Sequence, residues 1–183
     1  MSLEYAKPSG SARSESAILH QFESESAKLR DPRQVATRLA QTASRLCSSP
    51  TLYFVHHENA RVAVLQTTAG FESGEDPSGM SFNLDAPIQH RILECEKKGQ
   101  IASLSDYGPL TKLCLARFGT AHFEAWPVTG FAHLGRQAER PRLLGVLVVL
   151  HAGVESRTRQ DSLFRMMRAT GLIYENSILA QHP

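Results

Sequence analysis

One run of apolar residues constrains the fold more than any other part of the chain. Residues 143–150 read Leu-Leu-Gly-Val-Leu-Val-Val-Leu, without a polar side chain among them. A strand covered on one face alternates apolar and polar residues, whereas a strand covered on both faces is apolar throughout. The run is also far shorter than the roughly 20 residues that a membrane-spanning helix needs. We therefore predict a central strand from Arg142, with strands beside it and structure on both of its faces.

Composition limits the class of protein. With 183 residues, 42% of them hydrophobic and 21% charged, the chain suits one globular domain with a core and additional arms. A net charge of +2 is too small to predict nucleic-acid binding. Cys47, Cys95 and Cys114 form no C-x-x-C pair, which favours reduced thiols in a cytoplasmic protein. Residues 1–16 are polar and lack the apolar core of a signal peptide, and we expect no membrane association.

Turn residues and apolar spacing divide the chain into three parts. Residues 1–15 are polar and rich in Ser, so we expect a disordered arm there. Residues 16–30 carry sparse apolar positions at helical spacing and are expected to form an N-terminal flanking helix. Asp31-Pro32 separates this helix from the next one, because the residue before proline disfavours helix while proline itself suits a helix's first turn. The main domain is therefore placed at residues 31–183.

The main domain is expected to combine helices with antiparallel strands. A helix from the N-cap Asp31 to Leu46 precedes a β-hairpin, whose strands 51–56 and 61–68 are rich in β-branched and aromatic residues. The later elements are a short extended piece at Phe82, a helix from Asp85 to Lys98, an edge strand 100–104, a helix 110–118, a strand 123–131 containing Pro127, the central strand and a helix 158–180. Hairpins combined with terminal helices indicate an α+β fold with an antiparallel sheet.

Three local patterns, in this order of elements, resemble the GAF domain family of small-molecule sensor modules. The first is the amphipathic helix 31–46 leading into Leu52-Tyr53-Phe54-Val55, and the second is a return strand ending in Ala69-Gly70-Phe71. The third is Ala125-Trp126-Pro127-Val128 followed by Leu144-Gly145-Val146-Leu147-Val148-Val149 and a closing helix. The resemblance covers residues 31–181 and concerns the fold rather than any chemistry. A PAS-like sensor is the nearest alternative fold.

The resemblance implies both an architecture and a role. The architecture is a central antiparallel sheet of about six strands, with terminal helices on one face and short helices and loops forming a pocket on the other. The implied role is sensory or regulatory: a small molecule, whose identity the sequence does not give, biases a helix pair in a homodimer, and an output domain or partner protein reads that bias. The first alternative is a dimerisation module without a ligand. The second is a small thiol-dependent redox enzyme on the same fold.

Apolar and aromatic residues are the candidate lining of such a pocket, because small-molecule sites are mostly apolar. The same residues could fill a closed core instead. The candidates are Tyr53, Phe82, Leu110, Leu113, Cys114, Phe118, Phe123 and Trp126.

Catalytic and metal-binding patterns are weak. Cys114 could be a nucleophile activated by Lys112 and Arg117, but it is followed by Leu115 rather than by the histidine that bilin-binding members carry. The loop 74–81 has the glycine spacing of a phosphate loop, with Met80 where lysine is required. His56 and His57 point to opposite faces of a strand, so no metal site is expected. We expect a protein that is not an enzyme.

Overall fold

The computed structural model describes residues 10–72, 77–97, 108–120, 122–130, 142–150 and 157–181. These residues form five α-helices and five β-strands. In chain order they are α1 Gly10–Ser26, α2 Pro32–Cys47, β1 Thr51–His57, β2 Val62–Ala69, β3 Ser81–Asn83, α3 Ala86–Lys97, α4 Gly108–Phe118, β4 Phe123–Gly130, β5 Arg142–Leu150 and α5 Arg157–Gln181.

The strands form one antiparallel sheet in the order β3-β2-β1-β5-β4. The apolar run lies in β5, which pairs with β1 on one side and with β4 on the other, and residues 143–150 are all buried. The prediction of a central strand covered on both faces is therefore confirmed. Pro127 lies in β4, which has one described neighbour and a register shift after Val128. The expected edge strand 100–104 lies outside the described residues.

The two faces of the sheet are covered by different helices. The face that we call the helix face packs against α2 and α5, with α1 lying on both of these helices. The opposite face, the short-helix face, packs against α3 and α4. The structure is therefore an α+β domain with its terminal helices on one face, as the sequence predicts. In the part of the chain that is described, no helix has the length and hydropathy that crossing a bilayer requires.

Local signals in the sequence fix the starts of α2 and α3. The Asp31 carboxylate accepts a hydrogen bond from the backbone N–H of Arg33 at 2.9 Å, with Pro32 in the first turn. Asp85 caps α3 in the same way, accepting from the N–H of Ile88 at 3.1 Å. Both helix starts were expected from the sequence, and both caps satisfy N–H groups that have no partner within the helix.

The first helix begins at Gly10, earlier than the Ser16 that apolar spacing predicts. Apolar spacing marks only the buried part of a helix, and the apolar positions of α1 that become buried, Leu19 and Phe22, lie further along. Two ion pairs on its outer surface, Glu23 to Arg165 at 2.9 Å and Glu25 to Arg38 at 2.7 Å, join α1 to α5 and α2. The flanking helix thus packs on the helices of its own chain.

A glycine allows α5 to lie directly on β4. Gly171 is buried in α5, and a Cβ atom there would collide with the backbone carbonyl oxygen of Thr129. Met167 and Tyr174, which flank Gly171 along the helix, are buried in the same interface. The distance between α5 and the sheet is therefore set by backbone contact rather than by side chains.

We expect Gly171→Ala to lower the free energy of unfolding by about 1–3 kcal/mol, because overpacking displaces backbone. Without the collision, alanine would stabilise a helix interior by about 1 kcal/mol relative to glycine. Gly108→Ala is the matched control, since nothing lies within 4 Å of a Cβ at that position; it should change stability by less than about 0.5 kcal/mol. Urea denaturation measures the free energy of unfolding of both variants. Equal values for the two variants would contradict the close contact between Gly171 and the Thr129 carbonyl.

Candidate functional site

The short-helix face carries a continuous apolar cluster between the sheet and its two short helices. Because side chains alternate along a strand, every second residue of the central strands points to this face. The buried members from the sheet are Leu52, Phe54, Ala63, Phe82, Phe123, Ala125, Leu143, Val146, Val148 and Leu150. The helices and loops contribute Met80, Leu84, Ile92, Leu110 and Cys114. Two aromatic contacts strengthen this packing, Phe54 edge-on to Phe82 at 5.0 Å and Phe71 tilted against Phe118 at 5.4 Å.

Six of the eight candidate lining residues belong to this cluster. Four are buried members, and Leu113 and Phe118 pack against it half-buried. The four buried ones are Phe82, Leu110, Cys114 and Phe123. The structure thus brings these six together beneath and around α4. Whether they hold a ligand stays a prediction.

Tyr53 and Trp126 lie on the helix face instead, so the eight candidates do not surround one cavity. The reason is the strand pleat: Tyr53 lies between Leu52 and Phe54, which both point to the short-helix face. Trp126 packs edge-on against Phe164 of α5 at 4.9 Å. Its Nε1–H donates to Glu124, whose side chain lies two positions away on the same face, at 3.1 Å.

Burial controls the chemistry of Cys114. The side chain is fully buried, and desolvation raises the pKa of its thiol to about 12. A thiolate is the nucleophilic form of cysteine, and it requires a partly exposed, electropositive setting. Lys112, one of the two expected activating cations, is exposed on the outer side of α4, as is Arg117. The site therefore favours a small apolar side chain over a reactive one.

Two tyrosines share a buried position on the helix face. Tyr53 is fully buried, and its hydroxyl has no hydrogen-bond partner among the described residues. Burial raises the pKa of Tyr53 well above its usual value, and the neighbouring Tyr174 raises it further. Burial is also the main cause of the raised pKa of Tyr174. The Tyr53 ring lies over Gly145, where a Cβ atom would collide with its hydroxyl. Glycine in β5 is thus required by a cross-strand tyrosine.

His56 joins three elements on the short-helix face. Its Nδ1 lies 3.0 Å from the carbonyl oxygen of Leu143 in β5, and its Nε2 lies 3.2 Å from the side-chain nitrogen of Gln89 in α3. The same Gln89 nitrogen donates to the carbonyl oxygen of Leu84 at 2.8 Å. From sequence we interpreted His56 as a residue at a strand end, and no pattern pointed to Gln89 as its partner.

Metal ligands do not cluster in the part of the chain that is described. Within these ranges, no group of three or more His, Cys, Asp or Glu side chains is placed to hold an ion. Two open grooves that described residues line are located beside α2, on the helix face, and share Arg33 and Thr37.

Comparison with known proteins adds information on the fold alone. No family profile matches the sequence, and no curated protein is detectably similar to it in sequence. Among solved structures, the phycoerythrobilin-bound GAF domain of a cyanobacterial phytochrome has 12% identity and a TM-score of 0.66, covering 92% of this chain and 98% of its own.

Two further structures are similar over most of the chain. The GAF domain of an Acinetobacter phosphoenolpyruvate-protein phosphotransferase has 13% identity and a TM-score of 0.59, covering 89% of this chain and 93% of its own. Free methionine-R-sulfoxide reductase from Neisseria meningitidis, in complex with its substrate, has 15% identity and a TM-score of 0.62, covering 98% of this chain and 99% of its own. The chain therefore has a GAF-like fold.

Proposed function

We propose that this chain is a sensory or regulatory domain that binds a small molecule between the sheet and the short helices α3 and α4. The observation that carries the proposal is the unequal cover of the two faces. The helix face lies under helices of 16 and 25 residues, on which a third helix of 17 residues packs, whereas the short-helix face lies under helices of 12 and 11 residues. A short amphipathic helix buries less apolar area and separates from a sheet at lower cost.

The similar folds support a ligand in general terms. The phytochrome domain holds a phycoerythrobilin, and the reductase holds its substrate. Here the six clustered candidates, from Phe82 to Phe123, supply the apolar wall that most small-molecule sites have. The close burial of Leu110 and Cys114 fits the competing proposal, a dimerisation module whose core is closed.

Signal relay would use the surface of the terminal helices. The apolar positions Leu19 and Phe22 of α1 are buried within the chain, so they are not available to a second copy. On α5, by contrast, Leu172 is 58% exposed in the middle of a polar stripe. We propose that two copies pair through the exposed side of α5 that carries Leu172, and that an output domain or partner protein reads the pairing.

Catalysis by a cysteine is not part of the proposal. The raised pKa of Cys114 keeps its thiol protonated near neutral pH, and a protonated thiol is a poor nucleophile. The fold similarity to a reductase therefore carries no assignment of that activity to Cys114.

Native mass spectrometry tests ligand binding directly. For protein purified from its host, we expect a mass increment that disappears on denaturation. Leu113→Trp, which fills space beside the cluster, should lose the increment, whereas Leu115→Trp should keep it, because Leu115 is 55% exposed on the outer side of α4. If wild-type protein from the host carries no bound mass in its native state, the dimerisation module without a ligand is favoured.

Light scattering after size exclusion tests the pairing surface. We expect twice the 20.2 kDa chain mass for the wild type and a shift to the single mass for Leu172→Glu. A buried unpaired carboxylate is costly at an interface. Leu115→Glu, at an equally exposed leucine on the other side of the domain, should stay dimeric. A monomeric wild type would rule out this mode of relay.

Alkylation tests the inertness of Cys114. With iodoacetamide near neutral pH, we expect Cys114 to stay unmodified in the folded protein and to react in denaturant, because its raised pKa suppresses the thiolate only while the thiol is buried. Peptide mapping assigns the modified residue without removing other cysteines. Rapid modification of folded Cys114 would instead favour the thiol-dependent enzyme.

A further inference from the structure

His56 occupies a position where its protonation state matters for tertiary structure. It is half-buried near the end of β1, and it contacts β5 through Leu143 and α3 through Gln89. Neither contact is local in sequence. The imidazole is therefore a tether between the sheet and α3, one of the two helices that cover the short-helix face.

The two partners fix which ring nitrogen carries the proton. The carbonyl oxygen of Leu143 only accepts, so Nδ1 must be the N–H donor. The orientation of the Gln89 amide is set by the carbonyl oxygen of Leu84, which requires an N–H group at 2.8 Å. The remaining N–H of that amide points to Nε2 at 3.2 Å, so Nε2 must be an unprotonated acceptor.

Protonation removes this acceptor. An imidazolium carries N–H on both nitrogens, so its Nε2–H would face an N–H of Gln89. Turning the amide over does not help, because its oxygen would then face the carbonyl oxygen of Leu84. The three-way contact is therefore compatible only with neutral His56.

Nearby charges leave this conflict in place. The charged or titratable side chains that are described on the surrounding elements and their flanking turns are Glu58, Arg61, Asp85, His90, Arg91, Glu94 and Arg142, together with Tyr53 and His57 on the opposite face. Glu58 and Arg142 pair with each other at 3.0 Å. The Asp85 carboxylate is occupied by the α3 N-terminus, and His90 and Arg91 are exposed. Strands β2 and β3 carry no charged residue.

We propose that His56 is a pH-sensitive latch that holds α3 on the sheet while its imidazole is neutral and releases it on protonation. Protonation replaces the Nε2 acceptor with a second N–H donor, so acidification would loosen α3. The latch itself requires no ligand. Its further consequence, that access to a ligand between α3 and the sheet depends on pH, rests on the proposed function.

The tautomer is the first observable. In ¹⁵N–¹H correlation spectra of the ligand-free protein near neutral pH, we expect His56 to carry its proton on Nδ1. A proton on Nε2 would overturn the proposal, because Gln89 would then have no acceptor.

The second observable is the hydrogen-exchange protection of the α3 amides, corrected for the pH dependence of intrinsic exchange rates. Between about pH 7.5 and pH 5.5 we expect protection to fall about fivefold or more, as the loss of one hydrogen bond allows. His56→Gln cannot gain a charge and should remove this pH dependence, whereas the matched control His57→Gln should retain it. Gln89→Leu should lower protection at both pH values and leave it equally low at each.

Protection of α3 that does not change with pH in the wild type would overturn the proposal. An identical pH dependence in His56→Gln would do the same, because it would assign the effect to another group. These readouts use protein without ligand, so they are independent of the native mass measurement. A failed latch and an empty pocket are therefore distinguishable results.

Discussion

Burial of β5 on both faces is the constraint on which the remaining structure depends. Its apolar side chains are each stabilised by roughly 1.5–3 kcal/mol only if something covers them, and they point alternately to the two faces. Leu147 and Val149 pack under α2 and α5, while Val146 and Val148 pack under the short helices. Strands β1 and β4 satisfy its backbone on either side. A three-layer arrangement follows from this single strand.

The two outer layers are held by different kinds of contact. On the helix face, α5 meets β4 through the backbone at Gly171, and ion pairs join α1 to its neighbouring helices. On the short-helix face, α3 is held by the buried Ile92 and by the His56–Gln89 contact. A domain that senses a ligand or a proton needs one layer that moves and one that does not, since low-stability elements are the ones that respond. The proposed ligand site and the proposed latch both lie at the layer of short helices, α3 and α4.

Residue patterns predicted the elements and most of the candidate cluster. Asp31 and Asp85 mark helix starts by their own side chains, and the hairpin 51–69 is local, so both could be predicted without tertiary information. Tyr53 and Trp126 lie on the helix face, apart from the other six candidates, and hydrophobicity alone does not state which face a residue occupies. Strand alternation separates Tyr53 from Phe54, but it does not say which face lies under which helices.

The sequence by itself determined that this chain contains a doubly covered strand, a hairpin and terminal helices, because these depend on spacing, capping and propensity within short segments. Tertiary structure alone decided that Cys114 is sealed from solvent, that Tyr53 lies over Gly145, and that His56 meets Gln89. Each of these depends on groups far apart in the chain, and no local pattern encodes their distance. Desolvation and hydrogen-bond geometry act only after the chain has brought such groups together.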